Sequence, residues 1–317
     1  MPVSDQHRIA VLLPCYNEAG CIANVVAAFK KALPMAVIYV YDNNSTDNTA
    51  EVARNAGAIV GRENNKGKGN VVRRMFNDIE ADIYVMADGD ETYDATVAPE
   101  MIRKLVEEDL DMVVGARVSD AVEAYRACHR FGNNSINGLV RYFFGYDFQD
   151  ILSGYRVMTR RFVKSFPIHS HGFEIETEMT IHAVQLQLPV VEVPTKYGVR
   201  PESSPSKLRT YRDGLWIFFS FLGLLTTERP RLSASVVALL IALFAIVFAS
   251  TYLTLLAVAV LLFGFLVFAI RRSRLEAKRL AYLAQKHSSL VLEKNYVPIY
   301  QHQNAKRTPS FGNSDLS

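Results

Sequence analysis

The chain has 317 residues, half of them apolar, and its 35 Lys and Arg against 32 Asp and Glu leave a net charge of only +3. That length suits one large domain or two small ones, and a charge so near neutrality excludes a strongly basic nucleic-acid binder. Three cysteines, Cys15, Cys21 and Cys128, lack metal-ligand spacing; they exclude a disulfide scaffold and suit a reducing compartment.

Strands and helices alternate from the start. Residues 8–13 (RIAVLL) predict a buried strand, and 19–33 a helix with apolar spacing at Ile22, Val25, Val26 and Phe29. A second strand is expected at 36–41, then a helix capped by Ser45 or Thr46 and running to about residue 56. A short strand at 58–60, a helix at 69–79, a strand at 82–87, a helix near 97–108 and a strand at 111–116 follow. This order predicts an α/β fold with a mostly parallel sheet covered on both faces. Beyond 116 the alternation weakens: 124–145 reads as a basic helix, 172–187 as a helix and 189–194 as a strand. A loop rich in Pro, Ser and cations spans 195–214, and the aromatic stretch 215–225 is too short to span a bilayer and suits an interfacial helix.

Residues 232–270 carry no charge over 39 positions. As one helix they would measure about 58 Å, roughly two hydrocarbon thicknesses, so two transmembrane helices at about 232–249 and 252–270 are expected. Arg229 and Arg231 precede the run and Arg271, Arg272 and Arg274 follow it, which places both outer ends on the cytoplasmic side. No N-terminal apolar segment resembles a signal peptide. The expected organisation is a cytoplasmic α/β domain over 1–208, an interfacial segment over 209–230, the hairpin over 231–271, and a basic cytoplasmic tail over 272–317 that reads as a helix to about 290 and whose end is disordered. That arrangement points to a multi-pass protein of the cell's inner or plasma membrane, with the lipid bilayer as a partner.

Ligands of parallel sheets bind beyond the carboxyl ends of the strands. Three polar clusters stand at those ends: PCYNEA after the first strand, DNNSTDNT after the second and DGDET after the fourth. Asp88, Asp90, Glu91 and Asp94 crowd like charges into seven positions, which calls for a cation. An EF-hand loop is excluded, because its sixth and twelfth positions would be Tyr93 and Pro99. A Mg²⁺ or Mn²⁺ held by few carboxylates and completed by phosphate oxygens fits. NKGKGN (65–70) is not a Walker loop, yet its glycines permit close backbone approach, and Lys68 can face a phosphate.

Together LLPCYNEA, YDNNSTDNT, NKGKGN, ADGDET, GAR (115–117), DILSGYRVMTRR, GFEIETEM and VRPESSPSKLR resemble the family 2 glycosyltransferases of GT-A fold. With the hairpin, the chain is most similar to the polyprenyl-phosphate, dolichol-phosphate-mannose synthase type. The resemblance implies that Pro14, Tyr16 and Glu18 line a nucleoside pocket, with Asp42 beside the base or ribose and Asn43 and Asn44 bonding the base. It implies that Asp88 and Asp90 are the DxD pair holding the metal on the donor diphosphate, with Lys68 nearby. Thr92 stands where several relatives carry Gln, and DNNS replaces the commoner Asp-Asp-Gly-Ser. Two-span relatives favour UDP-glucose or UDP-N-acetylhexosamine over GDP-mannose as donor.

A lipid phosphate acceptor needs cations, and Arg117, Arg130, Arg200, Lys207 and Arg209 supply them, with Ser206 as a hydroxyl donor. Asp150 has three readings: a general base, a group orienting Arg156 or Arg117, or a structural ion pair. Glu174, Glu176 and Glu178 share a helical face only in part; Glu174 and Glu178 do by spacing and suit sugar hydroxyls or basic partners, while His169 and His171 read as loop residues. The expected reaction is inverting transfer of a sugar to undecaprenyl or dolichyl phosphate. Extension of a polysaccharide or lipid-linked oligosaccharide is an alternative weakened by the missing Gln-x-x-Arg-Trp, since Trp216 lies in GLWIFF. A non-catalytic nucleotide-sugar-binding scaffold is the other. A hairpin this small is no flippase, so a separate flippase would move the product, and self-association is open.

Overall fold

The computed structural model describes residues 7–118, 148–198, 230–247 and 251–285. The expected helices at 124–145 and 215–225, with Arg130, Arg200, Ser206, Lys207 and Arg209, lie outside the described residues. Within 7–118 the elements are β1 (Ile9–Cys15), α1 (Ile22–Ala32), β2 (Val37–Asp42), α2 (Thr49–Asn55), β3 (Ile59–Arg62), α3 (Lys68–Asp78), β4 (Ile83–Met86), α4 (Ala98–Glu107) and β5 (Met112–Val118). Then come β6 (Arg156–Thr159), α5 (Arg160–Ser165), α6 (Ile175–Leu186), β7 (Val190–Lys196), α7 (Pro230–Val247) and α8 (Thr251–Ala284).

Seven strands form one sheet in the order β3-β2-β1-β4-β6-β5-β7. All neighbours are parallel except β6, which runs antiparallel to both β4 and β5. Strand β1 is buried on both faces, as a parallel-sheet centre requires. Its alternate residues divide between two cores: Val11 and Leu13 pack with α1 and α4, Ala10 and Leu12 with α3, α5 and α6.

Strand β6 has no counterpart in the sequence reading. Its first residue, Arg156, is fully buried, and a charged residue there argues against a core strand. The guanidinium is instead satisfied internally, donating to the carbonyls of Ser153 (3.0 Å) and Ile151 (2.7 Å) and to Thr180 Oγ1 (3.0 Å). Burial lowers its pKa to about 10. The expected Ser45 or Thr46 cap is also corrected. Helix α2 starts at Thr49, and Ser45 and Thr46 bond Asn17 across to the first loop instead.

Helices α7 and α8 pack antiparallel, Gly264 lying so close to Ala234 that a side chain there would collide. By length and composition α8 can cross a membrane; the apolar part of α7, Ala234–Ile246, is shorter. The expected second span, about 252–270, and the helix expected in the basic tail after it are one continuous helix. RRSRLEAKRLAYLA contains no Gly or Pro, so α8 runs on to Ala284 as one helix. Its polar end docks on the α/β domain: Tyr282 donates to Asp111 Oδ2 at 2.7 Å, Arg161 lies over the Tyr282 ring, and Lys278 donates to Gln185 at 2.9 Å.

Candidate active site

The three polar clusters meet beyond the carboxyl ends of β1, β2 and β4, around a cavity of about 270 Å³. Pro14, Tyr16 and Glu18 line it from the first loop, Asn43 from the second, and Asp88 and Asp90 from the fourth strand. Lys66, in the loop before α3, and Lys68, at its start, also line it, as does Phe173. Each of the three loops holds one non-glycine residue in the left-handed region: Asn17 (φ 54°), Asn44 (φ 61°) and Glu91 (φ 62°). Such backbone persists only when neighbours over-determine it. Here Asn17 N donates to Ser45 Oγ (2.9 Å), Thr46 N to Asn17 Oδ1 (2.8 Å), and Asn24 reaches the Glu91 carboxylate at 3.3 Å.

Asp88 and Asp90 differ in environment. Asp90 is buried, its Oδ1 accepting from Thr92 N (3.2 Å) and Thr92 Oγ1 (2.6 Å). Thr92 therefore orients Asp90. The Asp88 side chain keeps 26% of its surface and carries the Lys68 ammonium, which also meets Glu176 Oε1 at 2.5 Å. Burial alone would strip the charge from Lys68; the two carboxylates outweigh it and raise its pKa above the ordinary lysine range. Among the described residues no three His, Cys, Asp or Glu side chains cluster to hold a metal. Asp88 and Asp90 fit a hard divalent ion that takes its other ligands from phosphate and water, and Asp88 already attracts a cation.

Asp42 does not line the cavity: it is buried behind the lining, one oxygen accepting from Ser45 N at 3.3 Å and Oδ1 having no hydrogen-bond partner among the described residues. Asn43 spends its amide on the neighbouring loop, donating to the carbonyls of Glu63 (3.0 Å) and Asn65 (2.7 Å) and accepting from Gly67 N (2.7 Å). Asn44 donates to Asn64 O and accepts from Arg62. Lys66 stands 5.3 Å above the Tyr16 ring.

Asp150 meets Arg117, not Arg156. Arg117 stacks on Tyr197, and Glu192 in turn accepts from the backbone N–H of Gln149 and Asp150. Glu174 and Glu178 do not face the cavity. Their carboxylates accept backbone N–H groups of the 169–172 loop, Glu178 from His169 and Ser170 and Glu174 from His171 and Gly172. The acidic residue that does reach the site, Glu176, carried no signal to distinguish it from its neighbours two positions away.

Residues 10–166 match Glycosyl transferase family 2. Protein RfbJ of Shigella flexneri is 59% identical over 39% of this chain and 96% of its own length. Glycosyltransferase AglJ of Haloferax volcanii is 39% identical over 73% of this chain and 75% of its own. A dolichyl-phosphate hexose transferase of the same organism is 26% identical over 71% and 96%. Among solved structures, glucosyl-3-phosphoglycerate synthase of Mycobacterium tuberculosis, in complex with Mn²⁺, UDP and glucosyl-3-phosphoglycerate, superposes with a TM-score of 0.58 at 19% identity, over 71% of this chain and 81% of that one. That likeness is one of fold. The sheet, its loops and the matching stretch define a sugar-transferring enzyme of α/β, GT-A architecture. The chain belongs to glycosyl transferase family 2.

Proposed function

We propose that the protein transfers a sugar, with inversion, from a nucleotide-sugar donor to a polyprenyl phosphate at a membrane surface. The donor is UDP-glucose or a UDP-N-acetylhexosamine, with GDP-mannose as the alternative. An acceptor phosphate oxygen attacks the anomeric carbon as the bond from that carbon to the donor diphosphate breaks, and the nucleoside diphosphate leaves with the electron pair. The acceptor's second pKa is about 6 by analogy with phosphoserine, so no proton has to be removed near neutral pH.

Asp88 and Asp90 would hold Mg²⁺ or Mn²⁺, which when bound supplies charge neutralisation on the departing diphosphate. Pro14, Tyr16 and Glu18 form the nucleoside wall, and Asp42 stands buried behind it. Asn44 braces that wall through the 62–64 loop. Arg117, Arg130, Arg200, Ser206 and Lys207 receive the acceptor phosphate, with Asp150 holding Arg117 in place. The α8 helix anchors the domain to the bilayer on its cytoplasmic side.

The observation that carries this reading is the cavity lined by Pro14, Tyr16 and Glu18 in which a partly exposed Asp88 pairs with the Lys68 ammonium. The name of the dolichyl-phosphate hexose transferase supports the acceptor class. The test is to incubate membranes containing the protein with radiolabelled donors, polyprenyl phosphate and saturating Mg²⁺ or Mn²⁺. Label should enter an acid-labile lipid, and Asp90→Asn should abolish it. Failure of every common donor to label lipid would remove the reading.

A further inference from the structure

Lys68 is gripped from two unlike sides. Glu176, 5% exposed, stands in α6 among buried residues, whereas Asp88 opens on the cavity with 26% of its side chain exposed. The backbone that carries Lys68 is pinned. Gly67, at φ 126°, lies where any Cβ would strike the His171 carbonyl oxygen, and Gly69 N donates to that same oxygen at 3.1 Å. Only the flexible side chain of Lys68 is left to move. Room for it comes from Gly154, where an added Cβ would stand 3.1 Å from both Asp88 Oδ2 and Lys68 Nζ.

We propose that Lys68 is a resident counter-ion occupying Asp88 where a divalent cation would bind, and that Glu176 is the fixed partner retaining the ammonium once a metal displaces it. The inference rests on reading Asp88 as a metal carboxylate. An ammonium on the same chain competes at a high effective concentration, so a bare metal ion gains Asp88 only by breaking an existing ion pair. A bound diphosphate changes the balance, giving the metal further oxygen ligands and the freed ammonium a second anion to meet. Metal and donor therefore enter together, and Glu176 keeps Lys68 within reach of the diphosphate.

The test measures Mn²⁺ binding to the full chain without nucleotide, by the electron paramagnetic resonance signal of free Mn²⁺. Lys68→Met alone strands Glu176 as a buried unpaired charge, so the decisive variant is Lys68→Met with Glu176→Gln, which removes both. Mn²⁺ should bind that double variant roughly tenfold or more tightly than the parent. Adding Asp88→Asn to it should abolish the gain. Equal Mn²⁺ affinity of double variant and parent, with binding still lost on Asp88→Asn, overturns the counter-ion exchange and leaves the metal reading standing. Binding that survives Asp88→Asn undiminished overturns both.

Discussion

Arg117 and Asp150 are joined by three hydrogen bonds: Nε to Oδ2 at 2.6 Å, Nη2 to Oδ1 at 2.7 Å, and the Arg117 backbone N–H to Oδ2 at 3.1 Å. Burial works against the guanidinium's charge, yet the carboxylate more than offsets it and raises the pKa of Arg117. Removing one member of such a pair strands the other. Asp150→Asn should therefore destabilise the protein by about 3 kcal/mol, the low end for a buried pair, because Arg117 still keeps 28% of its side chain in solvent. Denaturant unfolding measures this. Arg117→Lys keeps the charge but loses the fork. It should raise KM for the lipid phosphate and leave donor KM unchanged; an equal change in both would place Arg117 outside the acceptor's reach.

Gly154→Ala is a purely steric probe of the Asp88–Lys68 pair. The new methyl would stand 3.1 Å from the Asp88 carboxylate and from the Lys68 ammonium, closer than ordinary van der Waals contact. Thermal unfolding should move by only a few degrees, corresponding to about 1 kcal/mol of overpacking. Sugar transfer should fall at least tenfold, about 1.4 kcal/mol in kcat/KM. Unchanged transfer would mean that the neighbourhood of Asp88 is not where the donor's diphosphate is handled.

The strands and helices up to Val118 were legible because buried parallel strands are continuous apolar runs, and the turns between them gather the polar residues that make the cavity. Three features were not. Arg156 hides β6, since nothing in RVMT announces that carbonyls from Ser153 and Ile151 will satisfy a buried guanidinium. Spacing favours Glu174 and Glu178, which share a helical face, over Glu176. Which of the three points at Lys68 depends on the rotation of α6 in its packed setting, and both helix faces carry buried residues. The docking of α8 lay beyond reach for a third reason: Tyr282 and Asp111 are 171 positions apart.

That docking makes a prediction of its own. Asp111 is fully buried and accepts from Tyr282, Arg161 (3.0 Å) and Thr159 (3.0 Å), so Tyr282→Phe removes one of several donors to a charged acceptor. The expected cost is about 1.5 kcal/mol. Hydrogen exchange should show it locally, as faster exchange in residues 275–284 of α8, with the strands of the sheet unaffected. Uniform acceleration across the sheet would mean that the helix end is part of the domain core instead of a docked extension.

His182 predicts how stability changes with acid. It is 1% exposed against the rings of Phe162 and Phe166, and neither ring nitrogen has a hydrogen-bond partner among the described residues. Burial, reinforced by the charge of Lys278 on α8, pulls its pKa from 6.5 down to about 3. Between those values the unfolded chain binds a proton that the folded one refuses. The contribution is therefore fully present above pH 6.5 and is lost as pH falls toward 3, at up to about 1.4 kcal/mol per pH unit. Carboxylates add their own acid sensitivity, so the measurement is a difference between two proteins. His182→Leu should match or exceed the parent's stability at pH 7, since it removes two unsatisfied nitrogens. Its unfolding free energy should then fall less steeply than the parent's from pH 6 to pH 4, with the gap widening as acid is added. Parallel curves would mean that the imidazole is protonated in the fold or finds water, and the buried neutral histidine would be wrong.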